Sequence, residues 1–398
     1  MVSVKVWHAT DAFYPRIGGV ERVVQDLTQS QRDLGFEVLV ATRAEQGSPA
    51  REQCNGIDVV RVPFTARPTP LAYASTIRGF ERTLRELARE HGAPDLIHTH
   101  LTLSGLGAAR AARAIGVPLV ATFYGPWHAE FLAECGPLRE RGRVYAAYLD
   151  LLAASQRRMQ AKLMRSANQR VALSEFSATA LRELCDVGCT IVPGSVDLER
   201  FTPRLEARKR LGWPAQRTTL LSVRRLARRM GLERLIDAVA HLARGGHDLD
   251  LVIAGQGELR HELERRATDS GVADRVRFAG MLSQTQLPLA LSAADLFVLP
   301  SIAHEHFGLV ILESIACGTP VVGSDVGAIP ELLGGFDPTL VARGSDPDAL
   351  AATIAKALPE LERLAGMCGA AWRERLAQRY SPQAVAQSMA QVYAEARA

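Results

Sequence analysis

Long apolar runs are missing from this sequence of 398 residues. Pro, Gly or a charge interrupts every candidate before the ~18–20 residues that a membrane-spanning helix needs. The start, from Val2 to Trp7, reads as a charged strand without an apolar signal-peptide stretch, so the expectation is a soluble cytoplasmic chain. Paired cysteines are missing too. Cys54, Cys135, Cys185, Cys189, Cys317 and Cys368 are scattered and form no CxxC pair, and no second pair or His cluster completes a zinc set; reduced thiols are expected. Charge of one sign is scarce: 47 Lys+Arg against 43 Asp+Glu leave +4, too little to imply nucleic acid. What remains is 47% apolar and 23% charged, which excludes a disordered chain, a collagen and a small disulfide scaffold.

The length implies two or three domains of roughly 100–200 residues each. The first half opens with a strand at Val2, Val4 and Val6, then a helix with Val20, Val23, Val24 and Leu27 on one face. Strands follow at 37–42, 57–62, 95–100, 118–123, 170–174 and 189–194, with helices at 78–91, 106–115 and about 138–167 and a loop at 63–76. A polar, Pro-containing stretch at 195–216 separates this from a second half of the same grammar. There, strands are expected at 219–223, 249–255, 275–280, 294–301, 319–324 and 339–343. Short apolar runs alternating with helices mean parallel sheets covered on both faces. The fold class is α/β, two doubly wound Rossmann-like domains at 1–194 and 217–380, joined by a linker at 195–216 and facing across a cleft. A helix at 381–398 is expected to pack back on the first domain. One basic excess, Arg139, Arg141, Arg143, Arg157, Arg158, Lys162, Arg165 and Arg170, reads as a solvated helix face ahead of a dock for an anionic acceptor or a membrane surface.

Chemistry concentrates at 301–332. After the strand 294–301, a loop carries Glu305 and a helix begins near Phe307-Gly308. The amides of its first turn, at Gly308, Leu309 and Val310, form a natural phosphate site. Glu313 suits a bidentate hydrogen bond to a vicinal diol such as a ribose, and Glu305 suits sugar hydroxyls. The plain alternative is two solvent-facing acids beside a core of Leu309, Val310 and Leu312. Two glycines between a first strand and a helix, Gly18 and Gly19, let backbone approach a ligand closely. Gly255 and Gly257 follow another strand. A dehydrogenase would need GxGxxG after its first strand, and VKVWHATDAFYP lacks it.

Across FYPRIGGVE (13–21), PDLIHTH (94–100), VALSEFS (171–177), IVPGSVDLERF (191–201), SVRRLARRMGL (222–232), LVIAGQGE (251–258), VRFAG (276–280) and the Glu305-to-Glu313 block, the chain resembles the retaining GT-B glycosyltransferases of family 4. The resemblance implies a sugar-nucleotide site in the C-terminal domain. By it, Glu313 holds the ribose, Glu305 the donor sugar, and the backbone of Phe307, Gly308, Leu309 and Val310 the diphosphate. Gly255 supports the same site, backbone near Gly280 and Met281 holds the nucleobase, and the Gly18-Gly19 loop closes over the donor phosphate or sugar.

For catalysis, Arg225 matches the family's arginine. The family's lysine is replaced by Met230, before Gly231; Arg228 and Arg229 are either substitutes or surface charge. Tyr124 stands where the family commonly has a histidine, with His128 four residues on. His98 and His100, at a strand's carboxyl end, have a structural or an acceptor-site role. No Asp-x-Asp pair sits where a metal-dependent transferase would use it, so neither metal nor cofactor is expected, the nucleoside-diphosphate sugar being a substrate. The expected activity is metal-independent transfer of a hexose-type sugar with retention. The rival, motivated by Met230 and Tyr124, is a sugar-nucleotide-binding protein with weak or no transferase activity. The acceptor and the oligomeric state have no readable code.

Overall fold

Valine, isoleucine and leucine dominate the short strands, and both faces of most are covered by helices. The computed structural model describes residues 4–15, 18–63, 69–136, 142–214 and 217–398. They form two compact units: Met1–Leu132, Leu138–Ser195 and Pro382–Ala398 in the first, Ala133–Pro137 and Val196–Ser381 in the second.

The first unit is built on an eight-stranded sheet: β1 (Lys5–Thr10), β2 (Glu37–Arg43), β3 (Arg51–Cys54), β4 (Ile57–Val62), β5 (Leu96–Thr99), β6 (Leu119–Phe123), β7 (Gln169–Ala172) and β8 (Thr190–Ile191). Their order is β3-β4-β2-β1-β5-β6-β7-β8. Every pairing is parallel except β3 with β4. That hairpin is an addition to the expected parallel sheet. Its turn is Asn55-Gly56, both at positive φ, the dipeptide that a tight hairpin favours. The helix Pro382–Arg397 packs in this unit, with Val385, Met389, Val392 and Tyr393 buried against Val6, Leu96, Val120 and Val171.

The second unit has a five-stranded parallel sheet of β9 (Thr218–Val223), β10 (Leu249–Ala254), β11 (Val276–Gly280), β12 (Leu296–Leu299) and β13 (Val321–Gly323), ordered β11-β10-β9-β12-β13. The chain reverses direction across the sheet between β9 and β12, and ligands of such sheets bind at the strand carboxyl ends beside that reversal.

Three expectations are corrected. The stretch 339–343 is no strand: Asp337 caps a 3-10 turn at Pro338–Leu340, leaving one bridge from Val341 to Gly323. The 63–76 loop is shorter, because Thr69 caps a helix that starts at Pro70 and runs to His91; residues 64–68 lie outside the described ones. The 195–216 stretch is no free linker. Val196, Phe201 and Ala207 are buried, and Arg208 bonds to the Ala293 carbonyl at 2.7 Å and pairs with Asp295. Within the basic run, Arg157, Arg165 and Arg170 donate to the carbonyls of Glu183, Cys185 and Gly188, while Arg143, Arg158 and Lys162 are exposed. Arg139 and Arg141 lie outside the described residues. All six cysteines are free thiols.

Candidate functional site

The carboxyl ends of β9, β10, β11 and β12 are followed by the predicted residues of the second unit. Leaving β12, the chain passes Ser301 and a left-handed His304 (φ 55) before reaching Glu305. Glu305 accepts from Arg224 Nη2 at 2.6 Å and from the Ser301 hydroxyl at 2.9 Å, while Arg224 Nη1 also donates to Ser301. The side chains of Arg224 and Glu305 are only 9% and 14% exposed. Burial pushes the Glu305 carboxyl up; the Arg224 charge and hydrogen bond, with Ser301 and Arg229, outweigh it and hold the acid below the usual carboxylate range. Glu305 is thus a fixed anion, held through one of its two carboxylate oxygens.

Gly308 follows, at φ 86, as the cap of the helix Leu309–Ala316. An L side chain there would be strained, and no side chain caps this helix, so its first-turn amides point at whatever occupies the corner. Phe307 is buried beneath, Leu309 and Val310 are half-buried, and Glu313 is half-buried one turn further on. Gly255 lies at the end of β10 with φ 138, and a Cβ there would sit 1.8 Å from the Arg224 carbonyl. Only glycine allows that approach, which holds the Arg224 backbone in place. Gly280 accepts from the Gly255 amide at 2.7 Å, and Met281 beside it is 64% exposed.

The expected cations divide. Arg225 is half-exposed and pairs with Glu134, in the 133–137 segment of this unit. Arg228 turns away to Glu262, at 3.2 Å. Arg229 is the nearer cation: it donates to the His304 carbonyl at 3.3 Å and its charge bears on Glu305. Met230 is buried in a 3-10 turn. Arg224 was not singled out from the sequence. Its signal is the doubled arginine of SVRRL, in which neighbouring residues of an extended segment point opposite ways.

In the first unit, Gly18 is the extended N-cap of the helix Gly19–Asp33, and a Cβ on it would meet the Glu21 carboxylate at 2.4 Å. The Glu21 carboxylate thus stands at the start of that helix, beside the Gly18-Gly19 backbone. Arg16 and Ile17 of the same motif lie outside the described residues. Tyr124 follows β6, and its hydroxyl is 2.9 Å from His100 Nδ1. His128 is half-buried on the helix Trp127–Glu134. His98 and His100 are buried in a network with His8. His8, Gln31 and Tyr393 carry no sequence motif.

Comparison with known proteins agrees in both units. Residues 203–372 match the model described as glycosyl transferases group 1, and residues 17–200 the one described as glycosyltransferase family 4. The chain is 33% identical to D-inositol 3-phosphate glycosyltransferase of Thermobispora bispora, over 95% of this chain and 90% of that one. It is 30% identical to 2-deoxystreptamine glucosyltransferase of Streptomyces kanamyceticus, over 84% and 88%. Among solved structures, sucrose-phosphate synthase from Thermosynechococcus elongatus superposes with a TM-score of 0.82 at 23% identity, covering 99% and 98%. Anabaena HepE in complex with UDP and glucose gives 0.76 at 20%, covering 98% and 99%.

Proposed function

This chain belongs to the family 4, group 1 glycosyltransferases, an enzyme family of the GT-B fold, and from that premise we propose that it moves a hexose-type sugar from a nucleoside diphosphate to an acceptor hydroxyl with retention and without a divalent metal. One observation carries the reading: an uncapped helix start at Gly308 lies between a charge-fixed Glu305 and a half-buried Glu313. Backbone amides and the helix dipole take a diphosphate there, Glu313 takes the ribose diol, and Glu305 takes donor-sugar hydroxyls.

The anomeric C–O bond to the diphosphate breaks, and the acceptor oxygen bonds to the same face of that carbon. The acceptor's proton goes to the departing phosphate oxygen. Charge therefore grows on the phosphate, where fixed amides and cations lower the barrier. Arg225 and Arg229 are the cations for this role, the second replacing the missing lysine. The relatives named for D-inositol 3-phosphate and 2-deoxystreptamine make small cyclitols and aminocyclitols the acceptors to test first.

The test is turnover of UDP-, GDP- and dTDP-sugars with those acceptors in excess EDTA. Turnover is expected to persist in the chelator and to fall by about 10²–10³ in Glu313→Ala and in Arg225→Ala, the usual loss for one stabilising group. Chelator-abolished turnover, or undiminished turnover in Glu313→Ala, would end the assignment. The second reading, a sugar-nucleotide-binding protein with little transfer, is favoured by the buried Met230. Tight nucleotide binding without product across the whole panel would establish it instead.

A further inference from the structure

Three histidines share one face of the first sheet. His8 on β1 is the register partner of His98 on β5, and His100 follows two residues later. All three are buried. Their ligating atoms lie within 4.8 Å of one another, so a metal site is the first idea to test. The geometry opposes it. Every one of the six ring nitrogens already has a hydrogen-bond partner: Gln31, His8 or His100 itself, Tyr124, Tyr393 and Thr122. His8 Nδ1 and His100 Nε2 are 2.9 Å apart, whereas a cation bonded to both at ~2.0–2.1 Å would hold them roughly 3.3 Å apart.

The direction of each bond from Gln31 to Tyr124 follows from one amide. Gln31 donates through Nε2 to the Tyr393 hydroxyl at 2.7 Å and presents Oε1 to His8 Nε2 at 2.8 Å. An amide oxygen only accepts, so His8 carries its hydrogen on Nε2 and has Nδ1 free to accept. His100 Nε2 must then donate to it, which leaves His100 Nδ1 an acceptor, and the Tyr124 hydroxyl donates there at 2.9 Å. Along the other arm, the Tyr393 hydroxyl lies 2.8 Å from His98 Nδ1 and the Thr122 hydroxyl 2.8 Å from His98 Nε2, and either hydroxyl can donate or accept there. His8 and His100 are both the Nε2–H form.

We propose that Gln31, His8 and His100 are positioning residues that lock the Tyr124 proton inward, so that Tyr124 offers only lone pairs and selects a ligand group bearing a hydrogen, a hydroxyl or an ammonium. The neighbouring chemistry agrees. The Glu21 carboxylate, at the start of the helix Gly19–Asp33, bears electrostatically on the Tyr124 hydroxyl and is itself an acceptor. Two acceptors together fit a polyol or an amino sugar and reject an ether, a keto group or a phosphate. Burial keeps His8 neutral, with its pKa pushed down to about 4, and lowers His98 and His100 as well, so the relay holds at neutral pH.

Only the selection of a substrate hydroxyl rests on the transferase reading; the relay itself is read without substrate. Long-range proton–nitrogen NMR of the full chain labelled with ¹⁵N-histidine, at pH 7.5, is expected to show His8 and His100 as neutral Nε2–H rings. Nδ1–H on His8 or His100, or one equivalent of zinc in the purified protein, would overturn the relay and leave the transferase assignment intact. Gln31→Leu should release His8 and His100 into mixed tautomers. Should that variant not fold, Tyr393→Phe serves, with His8 and His100 expected to stay Nε2–H; a change in either overturns the relay. In turnover, Tyr124→Phe and Gln31→Leu should each raise one KM about tenfold, with the double variant no worse. KM measured separately for the sugar nucleotide and for D-inositol 3-phosphate tells which substrate supplies the hydroxyl. Losses that multiply to about a hundredfold would show that Gln31 does not act through Tyr124.

Discussion

Glu305 stays ionised while largely removed from water because one oxygen receives both Arg224 and Ser301. Removing one partner strands the other. Arg224→Leu should therefore destabilise the second unit by about 3–5 kcal/mol in urea denaturation, while Arg224→Leu with Glu305→Leu should recover much of that. Equal losses in the single and double variants would contradict a pair that matters for its charge. The buried histidines set the acid response. His8 titrates near 6.5 in the unfolded chain and about 4 when folded. Below about pH 6.5 the unfolded chain takes up a proton that the folded one refuses, so stability present above that pH is lost on acidification down to about pH 4. The slope is about 1.4 kcal/mol per pH unit for this one group, with His98 and His100 acting in the same direction. Melting temperature from pH 8 to 4.5 measures it, and His8→Asn should flatten the curve. At this scale Glu305, Gly308 and Glu313 were legible because a strand, a loop and a helix start fix their order in space. Arg224 was not: two adjacent arginines are alike in sequence, and only the backbone just past β9 sends one to Glu305 and the other out to Glu134.

The helix Leu309–Ala316 depends on its first residues more than on its own propensity. Gly308 enters it at φ 86, where an L residue costs about 1–2 kcal/mol, and the same residue aims the first-turn amides. Gly308→Ala should lower both melting temperature and nucleoside-diphosphate affinity. Gly255→Ala should do worse, because its Cβ would overlap the Arg224 carbonyl. Unchanged affinity in both, by calorimetry, would separate this corner from the nucleotide. Most strands with apolar runs bounded by Gly or Pro were readable to within a residue or two, but the first runs on to Thr10 and the one read at 189–194 is only Thr190–Ile191. The elements that escaped obey local turn chemistry instead: the Asn55-Gly56 hairpin, the Thr69-Pro70 helix start and the Asp337-capped turn. Their apolar content is too small to announce them.

Over the whole chain, the alternation of strand and helix announced two mainly parallel-sheet units, because a parallel sheet leaves continuous apolar runs that survive in sequence, whereas the family resemblance rested on the motifs between them. The positions at the reversal between β9 and β12 were legible for the same reason. The histidine network was not, since it joins β1, β5, β6 and two helices distant in the chain, the Gln31–Tyr393 bond spanning 362 residues. Among the described residues no helix is long and apolar enough to cross a membrane. The central claim, a diphosphate at the Gly308 helix start with its ribose on Glu313, is open to direct measurement. Calorimetric titration in EDTA would compare UDP and GDP with their 2′,3′-dideoxy forms against the unmodified protein and Glu313→Ala. The account predicts that loss of the two hydroxyls weakens binding about tenfold in the unmodified protein and not at all in Glu313→Ala, which binds both forms weakly. Equal affinity for ribose and dideoxyribose in the unmodified protein, or full affinity in Glu313→Ala, would contradict it.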